Sequence, residues 1–135
     1  MNLLAPLYRF ADRLRHRRHG NVGTRGEDLA HRYLRASGYI VVARNWRPPQ
    51  GGGELDLVAR EGDELVFVEV KTRLSADGDA PERDINAEKI QALRRAARDY
   101  LRRAGIEPAQ ARFDVLAIAG EHIDHLRDAF PVLSI

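Results

Sequence analysis

Two carboxylates and a lysine stand on neighbouring segments that are otherwise apolar. Residues 51–59 carry Asp56, and residues 65–73 carry Glu69 and Lys71. Such short apolar runs favour strands, and the Gly-Asp pair between them favours a two-residue hairpin turn. The pairing set by that turn places Asp56 opposite Glu69, with Cβ atoms roughly 4.5–5.5 Å apart. Like charges at that separation call for a cation, so the pattern indicates metal-assisted cleavage of phosphodiester bonds.

Each of these residues has a predicted role in that chemistry. Asp56 and Glu69 supply the hard oxygen ligands that Mg²⁺ or Mn²⁺ prefers, with the carbonyl of Val70 as a third ligand. Lys71 lies two residues beyond Glu69 and therefore on the same strand face. It would orient or deprotonate the attacking water, or stabilise charge on the phosphate. Glu54 is interpreted either as an outer partner of the metal site or as a member of a salt bridge.

A purely structural alternative uses the same charges without a metal. A cross-strand network would pair Glu54 with Lys71 and Glu69 with Arg73. Charges on a strand that is apolar on both faces are costly unless they are paired or liganded. The network leaves unexplained why Asp56 should face Glu69, so the metal site is the preferred interpretation.

Two further residues have both a structural and a functional interpretation. Thr24 and Glu27 have the spacing of a capping box, yet a carboxylate on the first turn of a helix can also reach a metal on the neighbouring sheet. Lys89 in the first turn of the second helix is either a solvated lysine or a phosphate contact. The arginines predicted to line a path for the nucleic-acid backbone are Arg73, Arg94 and Arg95, together with Arg17 and Arg18 of the N-terminal region.

The elements that must position these residues follow from periodicity and capping signals. Helices are predicted over residues 24–37 and 86–104, and strands over residues 39–44, 51–59, 65–73, 111–118 and 122–126. The order is therefore αβββαβ(β). A hairpin followed by a helical crossover predicts an α/β fold with a mixed sheet flanked by helices. Asp114 receives no role, and the spacing of His122 and His125 argues against a zinc pair.

Length and charge limit the organisation of the chain. Its 135 residues predict one compact domain over residues 23–135, preceded by a basic arm or short helix over residues 1–22. Residues 1–25 hold six arginines against one aspartate, a net charge of +5, whereas the whole chain carries +2. This asymmetry suits a polyanionic partner, although a solvated arm is the alternative. Without cysteine or a long apolar run, we expect a cytoplasmic protein with no membrane contact.

The ordered set of motifs resembles the PD-(D/E)XK nuclease superfamily, with the order seen in archaeal Holliday junction resolvases. It is most similar to the YraN-like family of uncharacterised bacterial proteins with an endonuclease-like fold. One departure is Leu55, which stands where the nuclease pattern has a proline that is not a ligand. The matching segments are residues 26–30 with Tyr33 and Leu34, Asn45 with Arg47, residues 53–58, residues 67–71 with Arg73, Lys89 with Leu93, residues 100–101 and residues 112–115.

The resemblance implies a restriction-endonuclease-like fold, dependence on Mg²⁺ and a nucleic-acid substrate. We therefore expect a metal-dependent endonuclease that hydrolyses DNA, with branched DNA as one option. A homodimer is a further option, because symmetric cleavage of both strands needs two active sites. The alternative is a nucleic-acid-binding or scaffolding module that keeps the nuclease fold with little or no turnover.

Overall fold

The computed structural model describes residues 25–73 and 86–133. The predicted arm of residues 1–22, with Arg17 and Arg18, lies outside the described residues, as does the cap residue Thr24. None of the described helices is long and apolar enough to cross a membrane. The described elements are α1 (Arg25–Ala36), β1 (Ile40–Trp46), β2 (Leu55–Glu61), β3 (Glu64–Arg73), α2 (Ala87–Ala104), a 3-10 helix (Pro108–Gln110), β4 (Ala111–Ala119) and β5 (His122–Phe130).

The five strands form one sheet in the order β1-β2-β3-β4-β5. Strands β3 and β4 are parallel, and the other neighbouring pairs are antiparallel. Parallel neighbours need a long crossover connection, and α2 lies between β3 and β4 in the chain. The predicted α/β class, with a mixed sheet and two helices, is confirmed.

Local signals in the sequence account for several element ends. The predicted two-residue turn is confirmed, because Glu61 pairs with Glu64 and Gly62 has a φ of +59°. Helix α2 begins after Asn86, whose side-chain oxygen accepts a hydrogen bond from the backbone N–H of Lys89 at 2.8 Å. It ends at Gly105, which has the left-handed conformation expected of a C-terminal cap.

Both edge strands extend further than predicted because their last residues pack in the core. Strand β1 continues to Trp46, whose ring meets Tyr100 edge-on at a centroid distance of 5.1 Å. Strand β5 continues to Phe130, which stacks on Phe113 at 4.6 Å. Long-range packing of these aromatic rings, and not local propensity, therefore sets the strand ends.

Apolar side chains cover both faces of the sheet. Helix α2 packs on one face and helix α1 on the other. Strand β3 lies at the centre, so a charged side chain there has little access to water. The α2 layer includes Leu93, Tyr100 and Leu101 against Val58, Phe67 and Phe113, and the α1 layer includes Ala30 and Leu34 against Leu57, Val66, Val68 and Leu116.

A buried polar network joins β4 to β5. Asp114 is fully buried and accepts hydrogen bonds from Arg112 Nε at 2.9 Å, His125 Nε2 at 2.7 Å and the backbone N–H of Asp128 at 3.0 Å. Tyr33 lies on the other side of the imidazole, with 3.1 Å between its hydroxyl and Nδ1. Burial acts to raise the pKa of Asp114, but these bonds outweigh it and hold the pKa below its ordinary value. Asp114, which had no role from sequence, therefore fastens the edge strand.

Candidate functional site

The hairpin of β2 and β3 brings Asp56 and Glu69 together on the α2 side of the sheet. The observed register runs to Leu57 opposite Val68, and its next step sets Asp56 opposite Glu69. The backbone N–H of Val70 donates a hydrogen bond of 2.9 Å to Asp56 Oδ2. This bond holds the side chain of Asp56, near the start of β2, against the backbone of β3. The register and this bond support the predicted meeting of the two carboxylates, and their metal-binding roles stay predictions.

Two more carboxylates approach Asp56. Oxygens of Glu27, Glu54 and Asp56 all lie within 4.8 Å of one another. Glu27 comes from the first turn of α1 and is 9% exposed, while Glu54 lies in the loop just before β2. The elements that converge here are thus one helix, one loop and two strands, and we call Glu27, Glu54, Asp56 and Glu69 the carboxylate cluster.

A glycine allows the loop before β2 to reach this position. A Cβ atom added to Gly53 would lie 2.7 Å from the carbonyl oxygen of Ala92 in α2. The loop backbone therefore passes directly against the helix, which no larger residue would permit without displacement. This contact places Glu54 beside the cluster.

Burial and mutual repulsion make the paired carboxylates costly to ionise. The pKa of Glu69 is raised first by burial and then by the charge of Asp56, with Lys89 acting in the opposite direction. The pKa of Asp56 is raised by burial too, against the bond from Val70. Glu69 Oε2 is buried and accepts no hydrogen bond from the described part of the chain. An added cation would relieve each of these costs.

Cations from α2, from β1 and from the loop directly after β1 flank the cluster. Lys89 Nζ lies 3.4 Å from Glu69 Oε1, and a guanidinium nitrogen of Arg47 lies 2.6 Å from Glu54 Oε2. Arg44 lies 3.9 Å from Glu27 and donates a hydrogen bond of 2.7 Å to Asp28. Sequence reasoning missed the part that the two arginines play, because no local pattern pairs them with residues in other elements.

These contacts change the structural alternative considered from sequence. Its pairing of Glu54 with Lys71 is wrong, because Glu54 pairs with Arg47. Glu69 pairs with Lys89 of α2, a contact that the cross-strand network did not include. Lys71 makes no ion pair with any carboxylate in residues 25–73 and 86–133, and its side chain is partly exposed beside the cluster. Its placement leaves its ammonium available to a ligand.

The arginines predicted to contact nucleic acid lie on β3 and α2. Arg73 is the last residue of β3 and is half-buried. Arg94 donates from Nε to the carbonyl oxygen of Pro131 at 2.8 Å and so ties α2 to the segment after β5. Arg95 is exposed on α2. The predicted nucleic-acid contacts of these arginines, and the predicted metal contact of the Val70 carbonyl, stay predictions.

The fold and the cluster define a small α/β protein with a converging set of acidic and basic side chains at one end of its sheet. The model of the uncharacterised protein family UPF0102 matches residues 26–118, and the chain belongs to that family. It is 53% identical to a UPF0102 protein of Solibacter usitatus, with 95% of this chain and 100% of the relative covered. It is 46% identical to one of Rhodococcus jostii, covering 81% and 95%, and 43% identical to one of Geobacter sulfurreducens, covering 81% and 88%. The predicted likeness to a family of uncharacterised proteins is confirmed to this extent.

Proposed function

We propose that this protein is a metal-dependent endonuclease that hydrolyses phosphodiester bonds in nucleic acid, with DNA as the expected substrate. The observation that carries the proposal is the carboxylate cluster, in which Asp56 faces a buried Glu69 with Lys71 two residues further on. Carboxylates gathered in this way repel one another, which destabilises the folded state. Such unfavourable charge clusters occur in proteins mainly where the charges bind a ligand or take part in catalysis.

The donor set suits Mg²⁺ or Mn²⁺. All side-chain donors of the cluster are carboxylate oxygens, which these hard ions prefer to nitrogen or sulfur. Asp56 and Glu69 would hold the ion, with the carbonyl of Val70 as a third ligand. Glu69 Oε2 accepts no hydrogen bond from the described residues, so this oxygen is available as a metal ligand. When bound, such an ion lowers the pKa of coordinated water and withdraws charge from a phosphoryl oxygen.

The chain's own residues would position the reactants. The N–H of Val70 fixes the orientation of the Asp56 carboxylate. Helix α1 places the Glu27 carboxylate close to those of Asp56 and Glu54. Lys71 lies on the same strand face as Glu69 and forms no ion pair with a described carboxylate. Its ammonium would contact the attacking water or the negative charge that develops on the phosphate.

The architecture is compatible with a restriction-endonuclease-like fold of the PD-(D/E)XK superfamily. The order of the described elements is αβββαββ. The acidic residues lie in the first turn of α1, in the loop and first residues of β2, and in the second half of β3. The basic N-terminal arm and the exposed Arg95 would add sequence-independent phosphate contacts. Branched DNA as substrate and a homodimer as the active form belong to this proposal.

A specific observation favours a second candidate, a nucleic-acid-binding or scaffolding module with little turnover. Three members of the cluster, Glu27, Glu54 and Glu69, already have cationic partners in Arg44, Arg47 and Lys89. Ion pairs of this kind could stabilise a site that has lost metal-dependent chemistry. This candidate predicts binding of DNA without cleavage.

A cleavage assay distinguishes the two candidates. Purified full-length protein is incubated with labelled duplex, single-stranded and four-way-junction DNA in Mg²⁺, Mn²⁺ or EDTA. We expect cleavage with either metal, none in EDTA and none with Asp56→Asn, whose amide oxygen can still accept the Val70 bond. Asp63→Asn is the matched control, since Asp63 is exposed in the hairpin turn. Binding without cleavage under every metal condition would favour the scaffolding module.

A further inference from the structure

We propose that Lys89 is an internal counter-ion of Glu69 that a divalent cation displaces, and that the released ammonium then contacts a phosphate of the substrate. This inference rests on the proposed function, because it concerns the same carboxylate cluster. It adds that metal binding and phosphate binding are coupled through one side chain.

The contact between Lys89 and Glu69 has one mobile partner and one fixed partner. The Lys89 side chain is 48% exposed, whereas that of Glu69 is 7% exposed on a central strand. Their separation of 3.4 Å exceeds the roughly 2.7–2.9 Å of a strong charge-assisted hydrogen bond. Lys89 can therefore swing into water on its flexible stem at little cost, while Glu69 stays in place.

The position of Lys89 in its helix points to a role other than helix stability. It lies in the first turn of α2, where its backbone N–H is capped by Asn86. The positive end of the helix dipole favours an acidic residue there and disfavours a lysine. Glu69 provides the compensating charge. Once another cation neutralises Glu69, the helix end and the lysine together form a positive surface that favours an anion such as phosphate.

Glu69 is also incompletely satisfied by the lysine. Lys89 contacts Oε1, while the buried Oε2 receives no hydrogen bond from the described residues. A divalent ion between Asp56 and Glu69 would neutralise more charge than one ammonium does. It would also repel the ammonium, because two cations would then share one carboxylate. Arg44 differs, because its closest partner is Asp28, outside the cluster.

Calorimetry with Mn²⁺ alone tests the displacement. The proteins are full-length wild type, Lys89→Gln and the control Arg98→Gln, which removes one positive charge from an exposed site on the same helix. We expect Lys89→Gln to bind Mn²⁺ about threefold to fivefold more tightly than wild type, as loss of a partly exposed competing ion pair allows. Arg98→Gln should stay within about twofold of wild type. Equal tightening in both variants, or weaker binding in Lys89→Gln, would overturn the displacement.

Fluorescence anisotropy tests the coupling. Labelled duplex DNA is titrated with each protein in EDTA and in saturating Ca²⁺, and the ratio of the two affinities is compared. We expect Ca²⁺ to strengthen DNA binding by wild type and Arg98→Gln, and by a clearly smaller factor for Lys89→Gln. The same factor for all three would refute the phosphate contact. If wild type binds and uses metal but Lys89→Gln behaves like the control, this inference alone fails; if no variant binds metal, the proposed function fails with it.

Discussion

Glu69→Gln should stabilise the metal-free protein at neutral and alkaline pH, although it removes one side of an ion pair. The carboxyl of Glu69 has its pKa raised, chiefly by burial and then by Asp56. A glutamine keeps the shape, carries no charge and can donate a hydrogen bond to Asp56. Lys89 loses its partner but keeps 48% of its side chain exposed, so the loss of that contact costs little.

The sign and size of the effect follow from proton linkage. As pH rises above the ordinary glutamate value of 4.5, the unfolded chain releases its proton before the folded chain does. The free energy of unfolding of the wild type therefore falls until pH passes the raised pKa, and it then levels off. Each pKa unit of that rise corresponds to about 1.4 kcal/mol. One unit corresponds to roughly 4–7 °C in Tm for a chain of this size.

Thermal unfolding of wild type, Glu69→Gln and Glu88→Gln between pH 5 and 9 in EDTA measures this. Glu88 is exposed beside Lys89, so its variant makes the same charge change at a solvated position. We expect Glu69→Gln to melt above wild type at pH 8 and near it at pH 5. Millimolar Mg²⁺ should then raise the Tm of wild type and leave that of Glu69→Gln nearly unchanged.

The refuting result is a lower Tm for Glu69→Gln in EDTA at pH 8. Such a loss would mean that the ion pair with Lys89 outweighs the burial of the charge. Glu69 would then be a structural anchor for α2. A Mg²⁺-dependent rise in Tm that survives in Glu69→Gln would likewise remove this residue from the metal site.

Three further perturbations test other parts of the molecule. Lys71→Ala should abolish cleavage while changing stability by less than about 1 kcal/mol, because the lysine has no described carboxylate partner; a large fall in Tm with normal specific activity would contradict this. Asp114→Ala should lower the free energy of unfolding by roughly 1–3 kcal/mol in urea titrations, because it leaves the buried donors of His125 and Asp128 without their acceptor while Arg112 keeps Glu61 and Glu64; an unchanged free energy would show the network to be dispensable. Deletion of residues 1–19 should reduce the salt dependence of DNA binding, at about 0.9 in log–log slope for each lost phosphate contact; identical slopes would exclude an electrostatic role for the arm.

Local rules were sufficient for the hairpin and for α2. The turn at Gly62 determines the register of β2 and β3, and that register alone places Asp56 opposite Glu69. The limits of α2 follow from Asn86 and Gly105, which act within one helical turn. These features depend on residues that are near in sequence or joined by a tight turn, so local rules applied to one sequence are enough to predict them.

The partners of the charged residues were decided by the tertiary structure. Lys89 meets Glu69 because α2 packs across the face of β3, and Glu54 meets Arg47 because Gly53 lets the loop lie against that helix. Asp114 acquires its role only when β5 pairs with β4 and brings His125 beside it. Periodicity states which face of an element is buried, but it does not state which side chains of a distant element will share that face. The chemical groups of the site could therefore be predicted from the sequence. The ion pairs that neutralise its carboxylates could not, because they form only when the helices pack on the sheet.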